Sequence, residues 1–326
     1  METMDKIFNI QTEEEFNSLA LETFRFQAKN NEVYKQFIDI LNVNLSNINH
    51  YREIPFLPIQ FFKTQEIIIA GKSPEVIFSS SGTTGMITSK HLVVDAELYI
   101  KSFRKAFEQF YGNVEKLAIV ALLPSYLERS GSSLIYMVDD LINRSKQTES
   151  GYFLYNHQDL YTSLIQLKEK GIKTVLFGVT YALLDFVESF NIDFPELIVM
   201  ETGGMKGKRK EMIREELHEI LCNGFNITSI HSEYGMTELL SQGYSKGNGL
   251  FQTPNWMKIL IRDTNDPLSL LDNKKTGAIN VIDLANYYSC SFIATQDLGK
   301  YHPDGSFEIL GRFDNSDIRG CNLLVQ

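Results

Sequence analysis

KLAIVALLPSYLERSGSSLIYMVDDLINRSKQTESGYFLYN, residues 116–156, sets the fold class. Its apolar run AIVALL is too short for a helix and stops at a proline, as a buried strand does. After a polar, glycine-containing break, SSLIYMVDDLINRS spaces its apolar residues three and four apart, as a half-buried helix does, and aromatic GYFLYN closes as a second strand. Strand, helix, strand at this spacing joins parallel strands through a crossover helix. The alternation extends upstream through the helical AELYIKSFRKAFEQF. Downstream it runs through DLYTSLIQLKEK, KTVLFGV (173–179), PELIVMET (195–202), KRKEMIREELHEIL (208–221) and FNITSIHSE (225–233). The chain is therefore read as α/β.

Outside that stretch the pattern changes twice. Thr12 followed by Glu15 is a capping box, and it opens two helices through LALETFRFQ and VYKQFIDIL. YREIPFLPIQFFK (51–63), with two prolines in an aromatic run, reads as an extended, partly buried connector. Beyond about residue 250 NWMKILIRD, GAINVIDL, SCSFIAT and GKYHPDGSFEIL form a β meander, with Asp304-Gly305 as a hairpin turn. The expected parts are N-terminal helices over 1–50, an α/β region over 51–250 and a β-rich part with a C-terminal tail over 251–326.

Composition narrows the function. The 326 residues are 43% apolar and carry a net charge of -10, a balance that argues against nucleic acid or an anionic membrane as the main partner. Cys222, Cys290 and Cys321 are far apart with no C-x-x-C, so neither a disulfide framework nor a thiolate zinc site is expected. No stretch of about eighteen apolar residues occurs, and the N-terminus METMDKIFNI lacks a signal-peptide pattern. The expectation is a cytoplasmic protein without stable membrane insertion.

FSSSGTTGMITSK (78–90) lies between the strand-like runs EVIF and KHLVV. Glycines allow close backbone approach, and successive N–H groups and hydroxyls can converge on an anion, so the loop is a candidate phosphate cradle. An ordinary polar hairpin is the other reading. It is not a Walker loop, because Glu66 stands where Gly71-Lys72-Ser73 would need its leading glycine.

SSSGTTG, HSEYGMTELL (231–240) and TQDLGKYHPDGSFEILGRFDNSDIRG (295–320), in this order, resemble the three ATP-site motifs of the adenylate-forming superfamily. Within it, IPFLPIQFFK, LLPSYLERSGSSL, METGGMKGKRKEM and the ending RGC resemble the acyl-protein synthetase branch, the fatty-acid–protein ligases of luminescence operons related to phenylacetate-CoA ligase. The resemblance implies a large N-terminal domain of parallel sheets flanked by helices. The mobile C-terminal domain that typical relatives carry for roughly a further hundred residues is expected to be absent after Gln326. CoA ligation, which depends on that domain, is then in question.

The resemblance also implies a site, with ATP and Mg²⁺ as cofactors. Ser81, Gly82, Thr83, Thr84 and Gly85 would cradle the β- and γ-phosphates, and Gly203 and Gly204 would lie beside adenine. Tyr234 would stack on the base, Thr237 would reach the α-phosphate, and Glu238 with Thr84 would serve the metal. Asp297 would accept from the ribose hydroxyls and Arg312 would donate to ribose or phosphate. Two positions depart from the family pattern: Gln296 stands where glycine usually precedes the aspartate, and MITSK has no proline before Lys90, which receives no phosphate role.

Cys321 sits where acyl-protein synthetases have a cysteine. Its thiolate would attack the acyl-adenylate and pass the acyl group to a reductase, acyl-transferase or other acceptor protein; the alternative is a small apolar residue against the sheet. An aryl- or acyl-acid ligase using CoA or an amine, and a nucleotide-binding scaffold, are the alternative functions. His231 is read as a substrate contact or a buried structural histidine, Ser132 as a helix cap or part of an acyl pocket, and Phe61 and Phe62 as core or pocket. Gly243-Tyr244-Ser245-Lys246-Gly247 fits a hydrolase expression, yet GNGLFQTP after it cannot form the helix that a nucleophile elbow needs. His91 to Asp95 fits H-x-x-x-D but reads as a strand entering a helix cap.

Overall fold

The computed structural model describes residues 2–80, 87–124, 131–203, 208–210, 212–272 and 275–312. The expectations for Ser81, Gly82, Thr83, Thr84, Gly85, Gly204 and Cys321 lie outside them. In chain order the first elements are α1 (Glu2–Ile7), α2 (Glu13–Asn30), α3 (Glu32–Ile40), β1 (Leu57–Pro58), α4 (Phe61–Thr64), β2 (Val76–Ser79) and β3 (Lys90–Val93). Next come α5 (Ala96–Tyr111), β4 (Ala118–Leu122), α6 (Ser133–Arg144), β5 (Gly151–Tyr152), α7 (His157–Glu169), β6 (Thr174–Gly178), α8 (Thr180–Ser189) and β7 (Ile198–Glu201). The chain continues with α9 (Arg214–Phe225), β8 (His231–Tyr234), β9 (Gly243–Ser245), β10 (Phe251–Gln252), β11 (Met257–Arg262), β12 (Thr276–Asp283), β13 (Phe292–Tyr301) and β14 (Phe307–Arg312). Two compact units result: Met1–Glu75, Ser89–Asp95 and Asn255–Gln326 form one, and Val76–Thr88 with Ala96–Pro254 form the other.

The second of these is the α/β unit. Its strands run in the order β10-β9-β8-β7-β6-β4-β5. β4, β6, β7 and β8 are parallel neighbours, and the direction reverses at β9. Every residue of β4 and β6 is buried, as strands covered on both faces require, which explains why they read as unbroken apolar runs. Ser132 caps α6 by accepting from the Ile135 amide at 3.3 Å. The helix expected at 208–221 instead starts at Arg214 and runs to Phe225, where Asn226 takes the left-handed conformation (φ 48°) and ends it. FNITSI consequently belongs to a helix end and turn, and the strand begins only at His231.

The other unit joins the N-terminal helices to the C-terminal meander. Thr12 and Glu15 exchange the two bonds of the capping box at the start of α2. Asn31 ends α2 and caps α3 while its Nδ2 donates to the Ser289 carbonyl at 2.9 Å. Buried Gln27 donates to the Asn286 and Tyr287 carbonyls and to Ser291 Oγ, fixing α2 on the segment between β12 and β13. The expected extended connector holds a short 3-10 turn at Tyr51–Glu53, then β1 parallel to β13, then α4. SCSFIAT and GKYH, read as separate strands, are one: β13 absorbs the interruption as a register shift between Leu298 and Gly299. Its hairpin to β14 turns at Asp304-Gly305, with Gly305 at φ 87° and the His302 amide donating to the Ser306 carbonyl at 2.8 Å.

Candidate nucleotide and acid site

In the α/β unit the motif residues leave the sheet at one edge. β7 and β8 pair in parallel with Met200 opposite His231 and Glu201 opposite Ser232, and that register carries Gly203 and Tyr234 out at the same carboxyl end. The carboxyl ends of the strands are where open α/β sheets bind ligands. Gly203 has φ 75°, and a Cβ built on it meets no described atom within 4 Å, a surface on which a flat ring can lie against backbone. Tyr234 is buried edge-on to Phe251 with ring centroids 6.1 Å apart. Glu238 is 5% exposed in the turn that follows, and Thr237 is half-buried.

The strand ends are held by a buried carboxylate. Glu201 accepts from Thr180 Oγ1 at 3.0 Å and Ser232 Oγ at 3.2 Å, with His218 Nε2 3.8 Å away. Burial alone would raise its pKa, but His218 and these hydroxyls outweigh it and hold the group below the usual carboxylate range. Glu201 thereby ties β7 to β8 and α8 directly before Gly203.

The opposite face of β8 carries His231 and Glu233, two residues apart. His231 Nδ1 lies 3.2 Å from the Tyr111 hydroxyl, and burial, with Lys246 and Lys173 adding repulsion, pulls its pKa down to about 4. Neutral imidazole at neutral pH favours the structural reading of His231. Glu233 was not anticipated. Its carboxyl makes no hydrogen bond among the described residues, and burial pushes its pKa up to about 8. It lies over the backbone of Gly235, where an added Cβ would come within 2.2 Å of Oε1. Gln242, 4% exposed, flanks the same glycine with its Oε1 unpartnered among the described residues. The only sequence signal was the alternation in HSEY, which puts Glu233 on the face of His231.

In the meander unit Asp297 on β13 stands directly opposite Arg312 on β14. Arg312 Nε donates to Asp297 Oδ1 at 3.0 Å; the arginine side chain is 78% exposed and the carboxylate 7%. A shielded acceptor with an open, cationic outer partner suits hydroxyl and phosphate recognition.

Several sequence alternatives resolve. His91 is buried, with Nε2 3.0 Å from Asn286 Oδ1 and its ring edge-on to Phe62, so both are core and H-x-x-x-D carries no chemistry. Gly243–Ser245 and Phe251–Gln252 pair as antiparallel strands, which excludes a nucleophile elbow. Cys290 is fully buried with its thiol pushed up to about 12, and burial also raises that of Cys222. Among the described residues no group of three or more His, Cys, Asp or Glu is placed to hold a metal ion, and no helix is long and apolar enough to cross a membrane.

Solved structures share this architecture. 2-Hydroxyisobutyryl-CoA ligase in complex with 2-HIB-AMP and CoA matches with TM-score 0.67 and 11% identity over 94% of this chain and 70% of its own. ATP-bound MatB from Rhodopseudomonas palustris matches with TM-score 0.54 and 16% identity over 72% of this chain and 47% of its own. An ATP-bound RpMatB-BxBclM chimera gives 0.55 and 17% over 72% and 47%. The present chain thus aligns with about half the length of MatB and the chimera. The fold is that of the adenylate-forming ligases. The chain itself belongs to the acyl-protein synthetase family, LuxE, which matches residues 6–326. No curated protein sequence matches it.

Proposed function

We propose that this protein activates a carboxylic acid, a fatty acid by family membership, as an acyl-adenylate and transfers the acyl group to a protein thiol. The observation that carries the reading is the family match over residues 6–326, joined to motif residues that leave adjacent parallel strands at one carboxyl edge. An oxygen of the acid's carboxylate attacks the α-phosphorus of ATP, the bond to the β-phosphate oxygen breaks, and pyrophosphate leaves with its electrons. The mixed anhydride then meets a thiolate, which forms a thioester at the acyl carbon while AMP departs.

In this reading Gly203 and Gly204 lie against adenine, Tyr234 stacks on it, and Asp297 and Arg312 take the ribose. Ser81, Gly82, Thr83, Thr84 and Gly85 hold the outer phosphates and Thr237 the α-phosphate. Mg²⁺, held by Glu238 and Thr84 with phosphate oxygens, would neutralise charge on the leaving group; one buried carboxylate suits that ion, which is bound by one or two carboxylates plus substrate phosphates. His231, neutral and bonded to Tyr111, faces away from Tyr234 along the strand, so any contact it makes with the acid is through the α5 side of the sheet. Cys321 is the proposed acyl carrier. Its two fellow cysteines, with thiols raised by burial, are poor nucleophiles at neutral pH.

The test is intact mass after incubation with ATP, Mg²⁺ and a fatty acid. The wild type is expected to gain one acyl group, released by hydroxylamine, and Cys321→Ser to gain none. An adduct that persists in Cys321→Ser removes this residue as the acceptor.

A further inference from the structure

Arg262 ends β11 with its side chain buried inside the meander, and no sequence motif accounts for it. Nη1 donates to the Ile279 carbonyl at 2.7 Å and to Asn280 Oδ1 at 2.8 Å, and Nη2 donates to the Thr295 carbonyl at 2.6 Å. These acceptors flank the register shift between Ala278 and Asn280, where β12 would otherwise present unpaired backbone groups to β13. They are dipoles without net charge. Burial lowers the guanidinium's pKa to about 10, and the attraction that opposes this comes from Asp297.

The same atoms lead to that carboxylate. Thr295, whose carbonyl Arg262 holds, accepts from the Asp297 amide at its Oγ1 (3.1 Å) and donates that hydroxyl to Ile279 O at 2.9 Å, a second acceptor of Arg262. Thr295 and Asp297 are two apart on β13 and both buried, so they share a face. Asn280, 1% exposed, leaves its Nδ2 without a partner among the described residues because its oxygen faces the cation; the flipped amide would set donor against donor. An orphaned buried donor is a cost, and here it is the consequence of supplying the cation with an acceptor.

The geometry points to Arg262 as a positioning residue two strands away, which fixes Thr295 and through it the backbone that aims Asp297, so that recognition of the nucleotide's ribose hydroxyls depends on it. Arg312 grips Asp297 from the solvent side, and Arg262 reaches it from within the sheet through Thr295. The inference rests on reading Asp297 as the ribose acceptor.

The experiment measures binding of ATP and 2′,3′-dideoxy-ATP by calorimetry to the wild type, Asp297→Asn, Arg262→Gln and Arg262→Lys, with near-UV circular dichroism to verify packing. Discrimination, the ratio of the two Kd values, is the readout, because general loosening weakens both nucleotides alike. Loss of a charged hydrogen bond predicts that Asp297→Asn and Arg262→Gln each lower the ratio about tenfold, mainly through ATP, and that Arg262→Lys lowers it about threefold. Undiminished discrimination in Arg262→Gln, with Asp297→Asn impaired, overturns the inference alone. Should the glutamine variant not fold, the lysine variant decides in the same way, an unchanged ratio counting against the role. Full discrimination in Asp297→Asn overturns the ribose reading itself.

Discussion

The carboxyl end of β8 and the centre of the meander both place ionisable groups out of water, and they do so in opposite ways. Glu233 and His231 have burial without ionic partners, and each is driven toward its neutral form, one from above the usual carboxylate value and the other from below the usual imidazole value. Arg262 and Asp297 have burial with partners: three acceptors hold the guanidinium, and Arg312 donates to the carboxylate. The lesson is that burial alone does not identify a working charge. In this chain the meander gives its buried polar groups partners, and the strand end is built to remove charge from the α5 face of the sheet.

Removing the cation breaks this contrast most severely. Arg262→Met leaves the Thr295 carbonyl and Asn280 Oδ1 without donors and Asp297 without its inner counter-charge, and is expected to destabilise by about 3 kcal/mol. Urea unfolding with an unchanged slope checks it; a loss below about 1 kcal/mol would mean that the network relaxes around the gap.

Glu233→Gln sharpens the other side, with a smaller effect of opposite sign. A carboxyl whose folded pKa, about 8, exceeds its ordinary 4.5 holds its proton better folded than unfolded. Its favourable contribution is full below about pH 4.5 and is lost as pH rises to about 8. The glutamine variant should match the wild type near pH 5 and exceed it at pH 8 by about 2 kcal/mol, a figure discounted for partial exposure. His231 supplies the acid limb in both proteins, since a folded pKa of about 4 below its ordinary 6.5 means stability lost as pH falls between those values. A wild-type and variant difference that does not change with pH would show that Glu233 is ionised in the folded state.

These two regions also mark what the sequence reveals. Local signals are legible: the Thr12–Glu15 box, the Ser132 cap, the Asp304-Gly305 turn and the apolar β4 and β6 each involve neighbours within a few residues, and each forms as read. The motif edge is legible through resemblance, since Gly203, Tyr234, Thr237 and Glu238 fall at adjacent strand ends. Arg262 is not, because its partners lie 17 to 33 residues away on other strands. The start of β8 was misplaced because β-branched FNITSI favours a strand locally, while the left-handed Asn226 that ends α9 is a conformation that composition does not announce.

The most direct test of the account is ATP–pyrophosphate exchange by the purified protein with Mg²⁺, run against a panel of fatty and aryl acids. The account predicts exchange that requires an added acid, is strongest with fatty acids and survives Cys321→Ser, because adenylation precedes the thiol. Measurable ATP binding with no acid-dependent exchange would contradict it.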